Sequence, residues 1–257
     1  MPKNNWTRNE LVVAFNLYCK TPFTKIDANN NSNIKELAPI LGRSANALAM
    51  KLANFARLDP ALKSRGIKGL SGGSKGEESI WNEFNSNWEE LAFESERILA
   101  EYKGISIETQ VELSSPEYFS FEGKEKHALV KLRVNQDFFR KSVLASYNNR
   151  CCVTGISVPE LLVAGHIIPW SADKKNRMNP ANGLCMNALH DRAFDKGLIT
   201  VTPDYELKIA DKILHDSLRT DAMNIFNSFN KKRIITPQKF FPAREFLEYH
   251  NKNIFIG

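Results

Sequence analysis

Apolar residues in the N-terminal quarter recur at helical spacing. In WTRNELVVAFNLYCK, Leu11, Val12, Phe15 and Tyr18 share one face, which predicts a helix over about 8–19. Thr7 stands at the N-cap position, and Glu10 three residues later completes a capping box. The polar stretch TPFTKIDANNNSN reads as a loop. Ile34, Leu37, Ala38 and Leu41 then predict a second helix, which Gly42 ends and Pro39 should kink. Ser44 caps a third, with Leu48, Leu52 and Phe55 on its inner face.

Helix, Gly turn, helix is the pattern of a helix-turn-helix unit. On the face opposite Leu48 and Leu52 the third helix carries Asn46, Met50, Asn54 and Arg57, with Arg43 and Lys51 at its flanks. Asn and Arg can read base edges and Lys can hold phosphate, so these residues are candidate DNA contacts. An ordinary three-helix packing unit with a polar outer face is the other reading of the same pattern.

A Gly/Ser-rich stretch, KGLSGGSKGEES, follows. Ile80, Trp81, Phe84, Trp88 and Leu91 then form the stripe of one long acidic helix, read as a solvated face with no role in binding or as a segment that faces away from DNA or spaces the two basic bodies. Residues 105–129 have no firm period and are expected to be extended. Phe138, Phe139, Val143 and Leu144 mark a further helix, closed by a turn at Asn148-Asn149. Leu161–Val163 reads as a short strand with His166 at its end, and Pro169 stops the apolar run. SADKKNRMNPANG is a polar loop, LCMNALHDRAFDKG has helical spacing and a Gly cap, and LITVTPDYELKI is a hairpin, so the order around the histidines is strand, loop, strand or turn, then helix. The fold class is therefore α+β: a helical domain over 1–70, an acidic helical connector over 71–130, and a mixed domain over 131–257.

Composition places the chain among globular proteins, with 42% hydrophobic and 25% charged residues. No apolar run approaches the roughly 20 residues that span a bilayer. The start MPKNNWTRNE has no signal-peptide core, so a cytoplasmic protein without a membrane partner is expected. The four cysteines are too few for a disulfide scaffold. Charge is uneven along the chain. Residues 1–75 hold 12 Lys/Arg against 4 Asp/Glu, residues 76–125 hold 3 against 13, and residues 126–257 hold 20 against 12. Two basic bodies around an acidic middle suit a polyanion such as nucleic acid.

The chemistry concentrates in AGHIIPWSADKKNRMNPANGLCMNALHDRAFDKG, residues 164–197. A neutral imidazole at His166 can take a proton from water. The amide of Asn182 can fix that imidazole's tautomer or hold the hairpin closed. His190 on the helix can ligate a divalent metal. Arg150, Lys174, Lys175, Arg177 and Arg192 can grip phosphates, or each can belong to a solvated loop surface.

GHIIPW…NGLCMNALHDRAFDKGLIT resembles the HNH endonucleases, which share the ββα-metal fold, and in particular their restriction-type branch. The likeness covers about residues 135–210, and the tail through KKRIITPQKFFPAREFLEYHNKNIF is similar too, as a closing helix. It implies His166 as general base, Asn182 as its support and His190 as metal ligand. It further implies a divalent ion, Mg²⁺ or Mn²⁺. Asp191 and Asp195 stand near His190 in sequence and are candidate further ligands or, equally, salt-bridge or cap residues. Many relatives carry Asp, Glu or His immediately before the base, where this chain has Gly165. Only half of each cysteine pair that would hold a structural zinc is present, so zinc is not expected. The expectation is a restriction-type endonuclease on double-stranded DNA, modification-dependent in one version and acting as a homodimer on a two-fold site. The rival reading is a non-catalytic DNA-binding regulator with a degenerate module.

Overall fold

Thr7 opens the first helix as its sequence requires. Its hydroxyl accepts from the Glu10 amide, while the Glu10 carboxylate accepts from the Thr7 amide. The computed structural model describes residues 5–67, 74–114, 126–214 and 224–257. These residues fall into two compact units, 1–145 and 146–257. No described helix is long and apolar enough to cross a membrane.

The first unit is helical: α1 (Arg8–Lys20), α2 (Ser32–Ile40), α3 (Ala45–Ala56), α4 (Pro60–Ser64), α5 (Lys75–Phe84), α6 (Trp88–Lys103), α7 (Ile107–Ser114) and α8 (Lys126–Ser146), the last ending at the boundary. Helix α1 is its axis, because α3, α5 and α6 all pack on it and bury Glu10 through Cys19 without a break. The sequence shows an apolar stripe; the structure encloses the whole circumference. Asn16 is tolerated there because its amide donates to Ser95 Oγ at 2.8 Å. Phe15 lies 4.8 Å from Phe55, 5.2 Å from Trp81 and 6.0 Å from Trp88 between ring centroids, so one aromatic cluster joins four helices.

The turn between α2 and α3 follows from sequence. Pro39 falls in the last turn of α2, where it removes one helical hydrogen bond, and the helix ends one residue later. Gly42 takes φ +65°, and the amide of Arg43 reaches back to the Ala38 carbonyl at 2.9 Å, closing a Schellman cap.

Three expectations are corrected here. The long acidic helix is two helices, α5 and α6, broken at Asn85–Asn87, and it is no spacer. It packs on α1 and its carboxylates neutralise the basic helices: Arg8 pairs with Glu83 and Glu94, and Lys20 with Glu96. Residues 107–114, expected to be extended, form α7. Helix α8 begins at Lys126 and stacks Phe138 on Trp88 at 6.3 Å. It stays with the first unit to Ala145, although the sequence groups its residues from 131 onward with the C-terminal domain. Of the Gly/Ser stretch, residues 68–73 lie outside the described residues.

The centre of the charge exchange is Glu77, whose side chain is fully buried. Burial alone would push its carboxyl up. Hydrogen bonds from Lys51, Ser74 and Asn54 instead bring it down to about 2. Replacing Glu77 by alanine strands Lys51 and Asn54 beside a buried void. The expected cost is about 3 kcal/mol of stability in urea denaturation. Glu78→Ala, which loses only an exposed pair with Arg57, should cost less than about 1 kcal/mol.

The second unit holds two antiparallel pairs of strands. Strand β1 (Leu162–His166) pairs with β2 (Gly183–Asn187) in the register Leu162↔Asn187 to His166↔Gly183. Helix α9 (Ala188–Asp195) follows directly and packs on both strands. Strands β3 (Ile199–Val201) and β4 (Leu207–Ile209) form the expected hairpin. Short helices α10 (Asp211–Leu214) and α11 (Asn224–Asn227) precede the closing helix α12 (Arg244–Asn253). Leu184–Met186 belong to β2, which settles the strand-or-turn alternative as a strand and moves the start of the helix to Ala188. Every residue of that strand is buried, so no polar alternation betrays it.

Helix α12 is fixed by His250. Its ring stacks on Phe194 at 3.6 Å, Nε2 donates to the Phe194 carbonyl at 3.2 Å, and Nδ1 accepts from Thr200 at 2.8 Å. Burial pushes its pKa down to about 4, against a smaller opposing effect of the Phe194 carbonyl. The fold thus favours the neutral ring. Its contribution is present above the unfolded pKa of about 6.5 and is lost as pH falls towards 4. Stability should drop by about 2 kcal/mol between pH 7 and 5 from this group. The slope should flatten in His250→Gln when urea midpoints are compared at the two pH values.

Candidate active site

His166 is the last residue of β1, and the chain must leave the sheet immediately after it. Asn182 controls that exit. Its backbone carbonyl accepts from the Ile167 amide at 2.9 Å, extending the ladder by one bond. Its side chain, fully buried, then takes over. Oδ1 accepts from the Ile168 amide at 2.8 Å, and Nδ2 donates to the carbonyls of Ile168 and Asn176 at 3.3 and 3.2 Å. Of the two roles open to this amide, the structure gives it the second: it ties the loop after His166 to the end of the hairpin.

The tautomer of His166 is set elsewhere. Its Nε2 lies 2.9 Å from the carbonyl oxygen of Arg177, which can only accept. Nε2 therefore carries the proton, and the lone pair is on Nδ1. The carbonyl is held in turn, because Arg177 donates from Nε to the Trp170 carbonyl at 2.8 Å and lays its guanidinium over the Trp170 ring at 4.9 Å. Trp170 meets the His166 ring edge-on at 5.6 Å. Burial lowers the pKa of His166, against smaller opposing effects of the Arg177 carbonyl and the Asp195 charge. The ring is neutral at pH 7 and only half-buried, the state of a base that water can reach.

His190 has the opposite tautomer. Asn187 caps α9, and its Oδ1 accepts from both the backbone amide and Nδ1 of His190 at 3.0 Å. Nε2 is left with the lone pair, and it is buried without a hydrogen-bond partner. The ring rests against Phe226 and Phe229, with centroids 5.1 and 6.0 Å away. Burial lowers its pKa, against a smaller effect of the Ile225 backbone. A neutral imidazole oriented through its other nitrogen suits a metal ligand.

Asp191 is the next residue of α9. Its Oδ1 is also buried without a hydrogen-bond partner. Burial, then the charge of Asp195, push its carboxyl up to about 6, with Arg192 opposing. Among the described residues no group of three or more His, Cys, Asp or Glu is arranged to hold a metal ion. Two side-chain acceptor atoms of α9, His190 Nε2 and Asp191 Oδ1, are buried without a hydrogen-bond partner. A hard ion such as Mg²⁺ needs only one or two protein ligands, with water and substrate phosphate completing the shell.

The cations divide into two groups. Lys174, Lys175 and Arg192 are exposed and make no ion pair among the described residues. Those of the N-terminal unit are engaged, which corrects the expected readout face. Arg43 is paired with Glu10, Lys51 with Glu77, and Arg57 with Glu78. Asn54 is buried and donates to Glu77 at 3.1 Å. Asn46 alone of these candidates stays exposed without such a partner, beside exposed Met50.

Two functional groups escape sequence reasoning. The Arg177 carbonyl carries no side-chain signal at all. Asn187 does, since Asn three residues before His190 is N-cap spacing, but the signal is hidden while the helix is taken to start at Leu184. Cys151, Cys152 and Cys185 are buried free thiols around this hairpin. Burial pushes the Cys152 thiol well above its ordinary value.

A family model described as HNH endonuclease matches residues 151–202, from the first of these cysteines to the end of β3. The match spans both strands of the hairpin, the loop between them and α9. No curated protein matches the chain.

Proposed function

We propose that the protein is a divalent-metal-assisted endonuclease that hydrolyses phosphodiester bonds in double-stranded DNA. The observation that carries this reading is the pair of opposed tautomers. His166 keeps its lone pair on Nδ1 in a half-buried position, while His190 keeps its own on a buried, unpartnered Nε2. One ring is set to take a proton, the other to hold a cation.

In this reading His166 Nδ1 removes a proton from the attacking water. The Arg177 carbonyl holds the ring and stabilises the imidazolium that forms, since Nε2–H already donates to it. Asn182 is a positioning residue: it fixes the loop that carries Trp170 and Arg177. His190 and Asp191 would hold Mg²⁺ or Mn²⁺, which supplies charge stabilisation at the phosphate and the leaving oxygen. Lys174, Lys175 and Arg192 attract the DNA backbone. Asn46 is the residue through which α3 would touch DNA.

The finer reading is a restriction-type enzyme in which two copies meet a two-fold symmetric or modified site. Supercoiled plasmid, methylated and unmethylated, should be nicked or linearised with Mg²⁺ or Mn²⁺ and stay intact with EDTA. Binding without cleavage under every condition would instead favour a non-catalytic DNA-binding regulator.

A further inference from the structure

Gly165 precedes the base in β1, and its backbone does not ask for glycine, since its φ is not among the positive values of the chain. What it lacks is space. A Cβ at this position would stand closer than 3.0 Å to Asp191 Oδ1, 3.2 Å from Met186 Cε and 3.5 Å from Asp191 Cγ. The carboxylate of α9 thus lies in the notch that a side chain of β1 would fill. It does not go there for a hydrogen bond, because Oδ1 has none. A buried carboxylate oxygen with no donor is costly, and so is a buried imidazole nitrogen with none. Two such orphans stand on consecutive residues of one helix, His190 and Asp191. A cation is the kind of partner each of them lacks, since each offers a lone pair and has no proton to accept.

We infer that Asp191 supplies, from α9, the carboxylate ligand of the divalent ion, and that the missing side chain of Gly165 is what seats that carboxylate against β1. The inference rests on the nuclease reading for the presence of an ion. It adds that positions 165 and 191 are one unit: the ligand can come from the helix only while the strand position is bare.

The experiment is Mn²⁺ binding to the full-length protein, read by electron paramagnetic resonance of free Mn²⁺, with apo thermal melting as the folding control. Asp191→Asn should weaken Mn²⁺ binding at least about ten-fold, with the apo melting temperature unchanged or raised, since it removes a buried unpaired carboxylate. Gly165→Ala meets only the far ends of two side chains, Asp191 and Met186, so it should fold, displace the carboxylate and weaken Mn²⁺ binding too. The combination Gly165→Asp with Asp191→Ala returns a carboxylate to the notch from the strand side. It should bind Mn²⁺ more tightly than Asp191→Ala alone by about ten-fold. Wild-type Mn²⁺ affinity in Asp191→Asn, or a combination no tighter than Asp191→Ala, overturns the inference. If His190→Ala loses Mn²⁺ in that case, the nuclease reading survives it. Failure of the wild-type protein to bind Mn²⁺ overturns both.

Discussion

His166→Ala is expected to abolish DNA cleavage while leaving the protein folded and DNA-bound. The ring is half-buried, donates to the Arg177 carbonyl and meets Trp170 edge-on, and it is not part of the hydrophobic core. Its chemical role is confined to the transition state, where Nδ1 takes the proton of the attacking water. Loss of a general base lowers rates by about 10²–10⁴. Single-turnover cleavage should fall by that factor, while the affinity for DNA in EDTA changes little. Added imidazole should restore part of the activity, because the half-buried site opens to solvent. Cleavage by a folded His166→Ala protein at the wild-type rate would remove His166 from the mechanism.

Asn182→Ala is expected to damage both stability and activity. Three hydrogen bonds end on this fully buried amide, and all three partners are backbone groups of the loop after His166. Alanine leaves the Ile168 amide and two carbonyls in a dry pocket, at about 1–3 kcal/mol for each group left unpaired. A stability loss of about 3–5 kcal/mol is expected in urea denaturation. The loop also carries the Arg177 carbonyl that sets the His166 tautomer. Activity measured well below the melting temperature should therefore fall by about 10²-fold, as displacements near 1 Å are known to do. Asn182→Asp keeps the acceptor for the Ile168 amide but sets a carboxylate against two carbonyls, so it should not restore the loop. A variant that is destabilised yet cleaves normally would make Asn182 a purely structural residue.

The charge pattern has a different outcome from its sequence reading. Basic residues of α1, of α3 and of the turn before α3 meet acidic partners inside the N-terminal unit, through Arg43–Glu10, Lys51–Glu77 and Lys20–Glu96. The acidic middle of the chain is the counter-charge of the first basic body. In the second unit, Lys174, Lys175 and Arg192 are left facing solvent.

Much of this protein is local, and what is local is legible. The capping box of α1, the Gly42 turn and the β3–β4 hairpin all follow from residues within a few positions of one another. So do the short spacings of His166, Asn182 and His190. Strand β2 is not legible, because burial on both faces erases the alternation that marks a strand. The fate of Asn54 and Lys51 is not legible either. Both lie on the polar side of α3, and only the return of α5, 23 and 26 residues away, turns that side into an interior. The tautomers of the two histidines depend on a carbonyl 11 residues away and on a cap residue three away. The place of Asp191 depends on a strand residue 26 positions earlier that has no side chain. Sequence by itself determined which groups can ionise, cap or ligate, since that is the chemistry of single residues and their near neighbours. Tertiary structure decided which of them are already satisfied, because a buried donor or acceptor finds its partner through space, and the unsatisfied remainder is where the candidate chemistry lies.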